Sequence, residues 1–188
     1  MVTVPRKPRA TYAEIEALPP NVTGEILDGE LHVQPRPASP HTRVASKLGV
    51  VLGAPYHRGG AAGPGGWIIL DEPELHMGPH VIVPDLAGWR RTRMPEEPET
   101  AFIDLAPDWV AEISSPSTRR VDYAIKRPIY AAEGVRHLWQ IEPADHMIQV
   151  FRLENGHWIL VSTAAGDDPQ ALEPFDDAPL DLAFLWSR

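Results

Sequence analysis

The chain has 188 residues, a formal net charge of −9 and no cysteine. That length suits one domain with a core large enough to do without staples, and the missing thiols exclude disulfides, thiolate metal sites and cysteine nucleophiles. The acidic balance speaks against a non-specific nucleic-acid coat protein, which carries a basic surface, but leaves room for an enzyme that meets DNA locally.

Residues 1–10 carry three basic residues and no apolar run, so they read as a tail and not as a secretory signal. No stretch approaches the roughly 20 apolar residues of a membrane span, and a cytoplasmic protein is the expectation. The domain is expected over residues 11–188. Thr11-Tyr-Ala-Glu14 has the form of a capping box and opens a short helix that stops before Pro19-Pro20. Asp28-Gly29, between the apolar runs of Glu25–Val33, signals a tight hairpin. Ser39-Pro40 starts a second helix, with Val44, Leu48, Val51 and Leu52 at helical spacing.

Residues 59–66 are rich in glycine. No Gly-Lys-Ser/Thr follows them and a strand comes next, so they read as a mobile connection and not as a phosphate loop. Strands are expected at Trp67–Leu70, Glu74–Met77, Val81–Ala87 and Trp109–Ser114, with a polar loop over Arg90–Thr100. A helix over Thr118–Glu133 ends at Gly134, and Pro128 inside it predicts a kink or a break. Further strands at Leu138–Ile141, Ile148–Leu153 and Trp158–Val161 precede an apolar tail, Leu180–Trp186. Strands outnumber helices and helices fall between some of them. The class is therefore α/β or α+β with a mixed central sheet flanked by helices.

Two of these strands contain an acid where an apolar residue belongs. Asp85 ends the run Val81-Ile-Val-Pro84, and Glu112 sits inside Trp109-Val-Ala-Glu-Ile113. A lone buried carboxylate costs several kcal/mol or takes up a proton, whereas a bound hard cation removes the cost. Each acid alone also suits a structural role: Asp85 capping a loop, Glu112 pairing with an arginine. Two acids at comparable places on two core strands can converge at one sheet edge. Lys126 lies four residues after Asp122 and shares its helix face, as a surface ion pair would too. His76 and His80 flank Gly78-Pro79, which forbids the regular helix of a two-histidine zinc site.

Pro84-Asp85-Leu, Glu112-Ile-Ser-Ser-Pro-Ser-Thr118, Asp122, Lys126, Tyr130, Gly134-Val135 and Leu138-Trp139 together resemble the Uma-two family of restriction-endonuclease-like proteins. Glu25-Ile-Leu-Asp-Gly-Glu30 and Ser39-Pro40-His41 extend the likeness, which covers residues 11–185. The family is similar to the PD-(D/E)xK nuclease superfamily. The resemblance implies a restriction-endonuclease-like fold and hydrolysis of phosphodiester bonds with Mg²⁺ or Mn²⁺. Asp85 and Glu112 take the positions of the motif acids, and Glu25 that of an upstream metal ligand. The motif lysine belongs two residues after the glutamate, where this chain has Ser114. Lys126 on the following helix matches a relocation of that lysine.

On this reading Asp85, Glu112 and Lys126 are catalytic and Glu25, Asp85 and Glu112 hold the metal. His41 and Asp122 are accessory, and Arg119 and Arg120 contact the phosphates of DNA, with Arg90, Arg91 and Arg93 as further basic candidates or simply solvated charge. Ser117 and Thr118 read as helix caps. Two other functions fit the same residues: a catalytically inactive module that binds nucleic acid or protein, and a metal-dependent hydrolase with a different substrate, separable by chromogenic phosphodiesters. Restriction-type folds imply a homodimer, for which Phe184, Leu185 and Trp186 would supply apolar surface unless they close the core.

Overall fold

A computed structural model describes residues 8–35 and 39–188; of the expected tail, residues 1–7 lie outside the described residues. Thr11 N–H donates to Glu14 Oε2 at 2.7 Å and opens α1 (Tyr12–Glu16), the capping box read from sequence. β1 (Val22–Leu27) and β2 (Glu30–Pro35) form the expected hairpin. Its turn residues Asp28 and Gly29 both have positive φ, 53° and 81°, the left-handed pair that a two-residue hairpin requires. α2 (Ser39–Leu52) buries His41, Val44, Leu48 and Leu52 and continues into a π-helical segment, Gly53–Arg58. The glycine-rich connection then leads to β3 (Trp67–Asp71).

β4 (Leu75–Met77), β5 (His80–Ile82), β6 (Leu86–Arg90) and β7 (Trp109–Ile113) follow. The continuous strand expected over Val81–Ala87 is therefore two strands in two different sheets. Pro84 has no N–H to give a ladder, and the Val83 N–H and C=O both bond to side chains, as described below. The helix expected over Thr118–Glu133 is divided into α3 (Arg119–Val121), a π turn (Asp122–Lys126) and α4 (Arg127–Ala132). Its backbone stays right-handed throughout, and the Arg127 N–H reaches back five residues to Asp122 O. This register change comes just before Pro128, whose missing N–H donor an unbroken α-helix would have to forgo.

β8 (His137–Glu142), β9 (Met147–Glu154) and β10 (His157–Ala165) come next. β11 (Gln170–Leu172) and β12 (Phe175–Leu180) form a small hairpin that the sequence reading did not anticipate, and α5 (Leu182–Trp186) follows it.

One sheet has the order β2-β1-β5-β4 and the other β10-β9-β8-β7-β6-β3. The larger sheet is mixed: β7 and β8 are parallel, joined by the crossover helix of α3 and α4, and its other pairs are antiparallel. The fold is α+β, with a central mixed sheet and a few helices. On one face Trp67, Trp109, Trp139 and Phe175 pack at ring distances of 4.8–5.6 Å. Gly88 makes room there, since a Cβ at that position would stand 3.1 Å from the Trp109 ring. Leu182, Leu185 and Trp186 join this core, while Phe184 stays exposed beneath Lys47. On the other face Val110 and Leu138 pack against Ile129 and Tyr130 of the crossover helix. Side chains alternate along a strand, so Trp109, Ala111 and Ile113 face the tryptophan core and Glu112 faces the crossover helix with Val110. No helix among the described residues is long and apolar enough to cross a membrane.

Candidate active site

Four separate elements deliver charge to one place: Glu25 from β1, Asp85 from the break between β5 and β6, Glu112 from β7 and Lys126 from the π turn. They line one cavity of about 480 Å³, together with His41, Asp122, Ser115, Ser117 and Thr118.

The break that sequence reading missed builds this site. Val83 N–H donates to Glu25 Oε1 at 2.8 Å, and Val83 O accepts from Lys126 Nζ at 2.8 Å. The peptide groups that a strand would have spent on a ladder instead hold the two sides of the site. Asp85 follows directly. Its Oδ2 accepts the Ile113 N–H at 2.6 Å, and its Oδ1 lies 2.9 Å from His41 Nε2. Asp85 is thereby tied both to the strand that carries Glu112 and to α2.

Lys126 is nearly sealed from solvent. Its Nζ lies 2.9 Å and 3.1 Å from the two oxygens of Glu112 and 3.2 Å from Glu25 Oε1. Glu112, 2% exposed, also accepts from the Tyr130 hydroxyl. Breaking a buried ion pair by removing one partner costs about 3–5 kcal/mol, because the other charge is then left without water or partner.

The electrostatics follow from this crowding. Burial drives the Glu112 carboxyl well above the usual carboxylate range; Lys126 opposes the rise, and Asp122 and Asp85 add to it. Burial likewise lifts Asp122 from 3.8 to about 6, against the pull of Lys126 and a hydrogen bond from Thr118. Burial lowers the His41 imidazole, but the hydrogen bond and charge of Asp85 outweigh it and leave the pKa raised. For Lys126, burial is outweighed by Glu112 and Glu25, so the ammonium stays charged. Burial raises Tyr130 well above an ordinary phenol, with Glu112 adding to the effect, so it remains a hydroxyl donor.

Five acids thus line the cavity with one lysine and one imidazole: Glu25, Asp85, Glu112 and Asp122, and exposed Glu72. The donor chemistry, hard carboxylate oxygens with a surplus of negative charge, suits a divalent cation such as Mg²⁺ or Mn²⁺. Among the described residues, no three His, Asp or Glu side chains stand in ligand geometry. The Lys126 ammonium lies between Glu25 and Glu112, and His41 Nε2 lies against Asp85 Oδ1.

Every acid singled out in the sequence, with Lys126 and His41, reaches this cavity. Arg119 and Arg120 do not line it; they are exposed at the start of the crossover helix, with Arg119 3.5 Å from Glu142. Two other basic candidates have structural partners. Arg90 stacks on Trp67 at 4.1 Å, and Arg93 pairs with buried Asp108 at 2.9 Å. Thr118 is the N-cap residue of α3, but its side chain makes no capping bond there; it accepts instead from the Ser115 N–H at 3.1 Å, and Ser115, Ser117 and Thr118 all line the cavity. Sequence reasoning gave Tyr130 no role, although its position four residues after Lys126 puts it on the same helix face. It also passed over Gln34, whose amide donates to Glu25 Oε2 at 3.4 Å, and Gln140, buried beside Glu112 on β8.

A family model described as "Putative restriction endonuclease", named Uma2, matches residues 10–183. A crystal structure described as a "putative nuclease belonging to DUF820 from Anabaena variabilis" is similar over 94% of this chain and 97% of that one, at 24% identity and a TM-score of 0.70. That likeness shows the fold. No match is found among curated proteins.

Proposed function

The chain belongs to the Uma2 family of restriction-endonuclease-like proteins, and on that basis we propose that it is a Mg²⁺- or Mn²⁺-dependent endonuclease that hydrolyses phosphodiester bonds of DNA. The observation that carries the proposal is the convergence of Glu25, Asp85, Glu112 and Lys126 on one cavity from four separate elements. A structural ion pair needs one acid and one base; a surplus of buried acids around a single lysine is costly unless a further cation or a proton uses it.

Asp85 and Glu112 would hold the cation, with Glu25 as the third carboxylate. Bound there, it supplies Lewis acidity toward a phosphoryl oxygen and lowers the pKa of a bound water. The remaining work falls to the chain itself. The Ile113 N–H fixes the aspartate, the Tyr130 hydroxyl fixes Glu112, and the Val83 N–H fixes Glu25. Lys126 brings a permanent positive charge to the cavity, where it can stabilise charge growing on the phosphoryl oxygens. The hydroxyls of Ser115, Ser117 and Thr118 at the rim can donate to phosphate oxygens, and exposed Arg119 and Arg120 can meet the flanking backbone.

The test is cleavage of a mixed set of single- and double-stranded DNA with Mn²⁺, run beside Glu112→Gln. Cleavage that vanishes in the variant supports the nuclease. A folded wild-type protein that leaves all substrates intact would replace this reading with a binding module on the same fold.

A further inference from the structure

Lys126 is surrounded as a metal ion would be. Four oxygens lie within 2.8–3.2 Å of its Nζ: two from Glu112, one from Glu25 and the carbonyl of Val83. An ammonium has three protons, so these four oxygens saturate it. The side chain is 4% exposed, and both carboxylates belong to the set assigned above to the divalent cation. A divalent cation on the same oxygens would stand within a few ångströms of the ammonium, close enough for strong repulsion in this buried setting.

We propose that Lys126 is a built-in counter-cation of the site and competes with the divalent cation for Glu112 and Glu25. Metal entry moves the ammonium off the carboxylates and into the cavity, where a phosphate would lie. The lysine is then withheld from substrate until the metal is bound, so the two positive charges arrive together. This proposal rests on the metal reading of the site, and the experiments below separate the two.

The first uses the wild-type protein. The chain has three lysines, so the Lys126 side-chain NMR signal is assigned by elimination with Lys7→Arg and Lys47→Arg. On titration with Mg²⁺, the Lys126 ¹⁵Nζ and ¹³Cε resonances are expected to shift in step with saturation, while those of Lys7 and Lys47 stay in place. A Lys126 signal that stays fixed while Mg²⁺ raises the melting temperature, in a manner abolished by Asp85→Asn, overturns the competition and leaves the metal reading intact. Failure of both Mg²⁺ and Mn²⁺ to bind overturns both. The second uses Lys126→Met, with free Mn²⁺ followed by electron paramagnetic resonance. Removing the competing charge is expected to tighten Mn²⁺ binding by about tenfold or more. Equal or weaker binding by the folded variant overturns the proposal, and if the variant does not fold, the wild-type titration decides alone.

Discussion

Asp122 offers a direct measure of what this cluster costs the fold. Its carboxyl is 3% exposed, and burial, opposed by Lys126 and by the Thr118 hydrogen bond, raises it from 3.8 to about 6. The folded state therefore holds the Asp122 proton more tightly than the unfolded chain does. The stabilisation from that proton is complete below about pH 3.8 and is lost as the pH rises through about 6. A change from 3.8 to about 6 corresponds to about 3 kcal/mol, a ceiling for this site. Asn keeps the shape and the acceptor for Thr118 but never ionises. Asp122→Asn is expected to stabilise the protein at pH 8 by up to about 3 kcal/mol and to change little near pH 4. The assay is urea unfolding at both pH values with a chelator present, comparing wild type and variant at each. Equal effects of the substitution at the two pH values, or destabilisation confined to pH 8, would refute the reasoning and place Asp122 among the acids that Lys126 needs.

Tyr130→Phe removes the hydroxyl that donates to buried Glu112 and is expected to cost about 1–3 kcal/mol in urea unfolding. Saturating Mn²⁺ is expected to raise the melting temperature, since ligand at about 100 times its dissociation constant contributes about 2.7 kcal/mol, and Asp85→Asn should abolish the shift. If Lys126 takes the place of a lysine missing at Ser114, cleavage lost in Lys126→Ala should return in part in Ser114→Lys/Lys126→Ala; a double variant as inactive as the single one counts against that equivalence. Among the described residues the buried hydroxyl of Ser114 has no hydrogen-bond partner, and it marks the point from which the new side chain would start.

Much of the site was legible locally. An acid inside an apolar run is conspicuous wherever the run occurs, so Asp85 and Glu112 stood out without knowledge of which strands are neighbours. Asp28-Gly29 announced its hairpin because positive φ at both turn residues is a property of the two residues themselves. The four-residue spacing of Asp122 and Lys126 placed them on one helix face by helix geometry alone.

The rest depended on distant partners. Val81–Ala87 reads as one strand because the apolar pattern is unbroken up to Pro84. It becomes two because Val83 finds Glu25, 58 residues upstream, and Lys126, 43 residues downstream. Nothing within a sequence window signals that a backbone N–H will be satisfied by a carboxylate from a strand so distant in the chain. The same holds for the position of Lys126. Spacing allowed a surface pair with Asp122 or a catalytic role, and the fold instead buried the ammonium between Glu25 and Glu112. The sequence determined which groups carry charge into an apolar interior; the tertiary structure decided which of them neutralise one another, because ion pairing and desolvation depend on distances that only the folded chain sets.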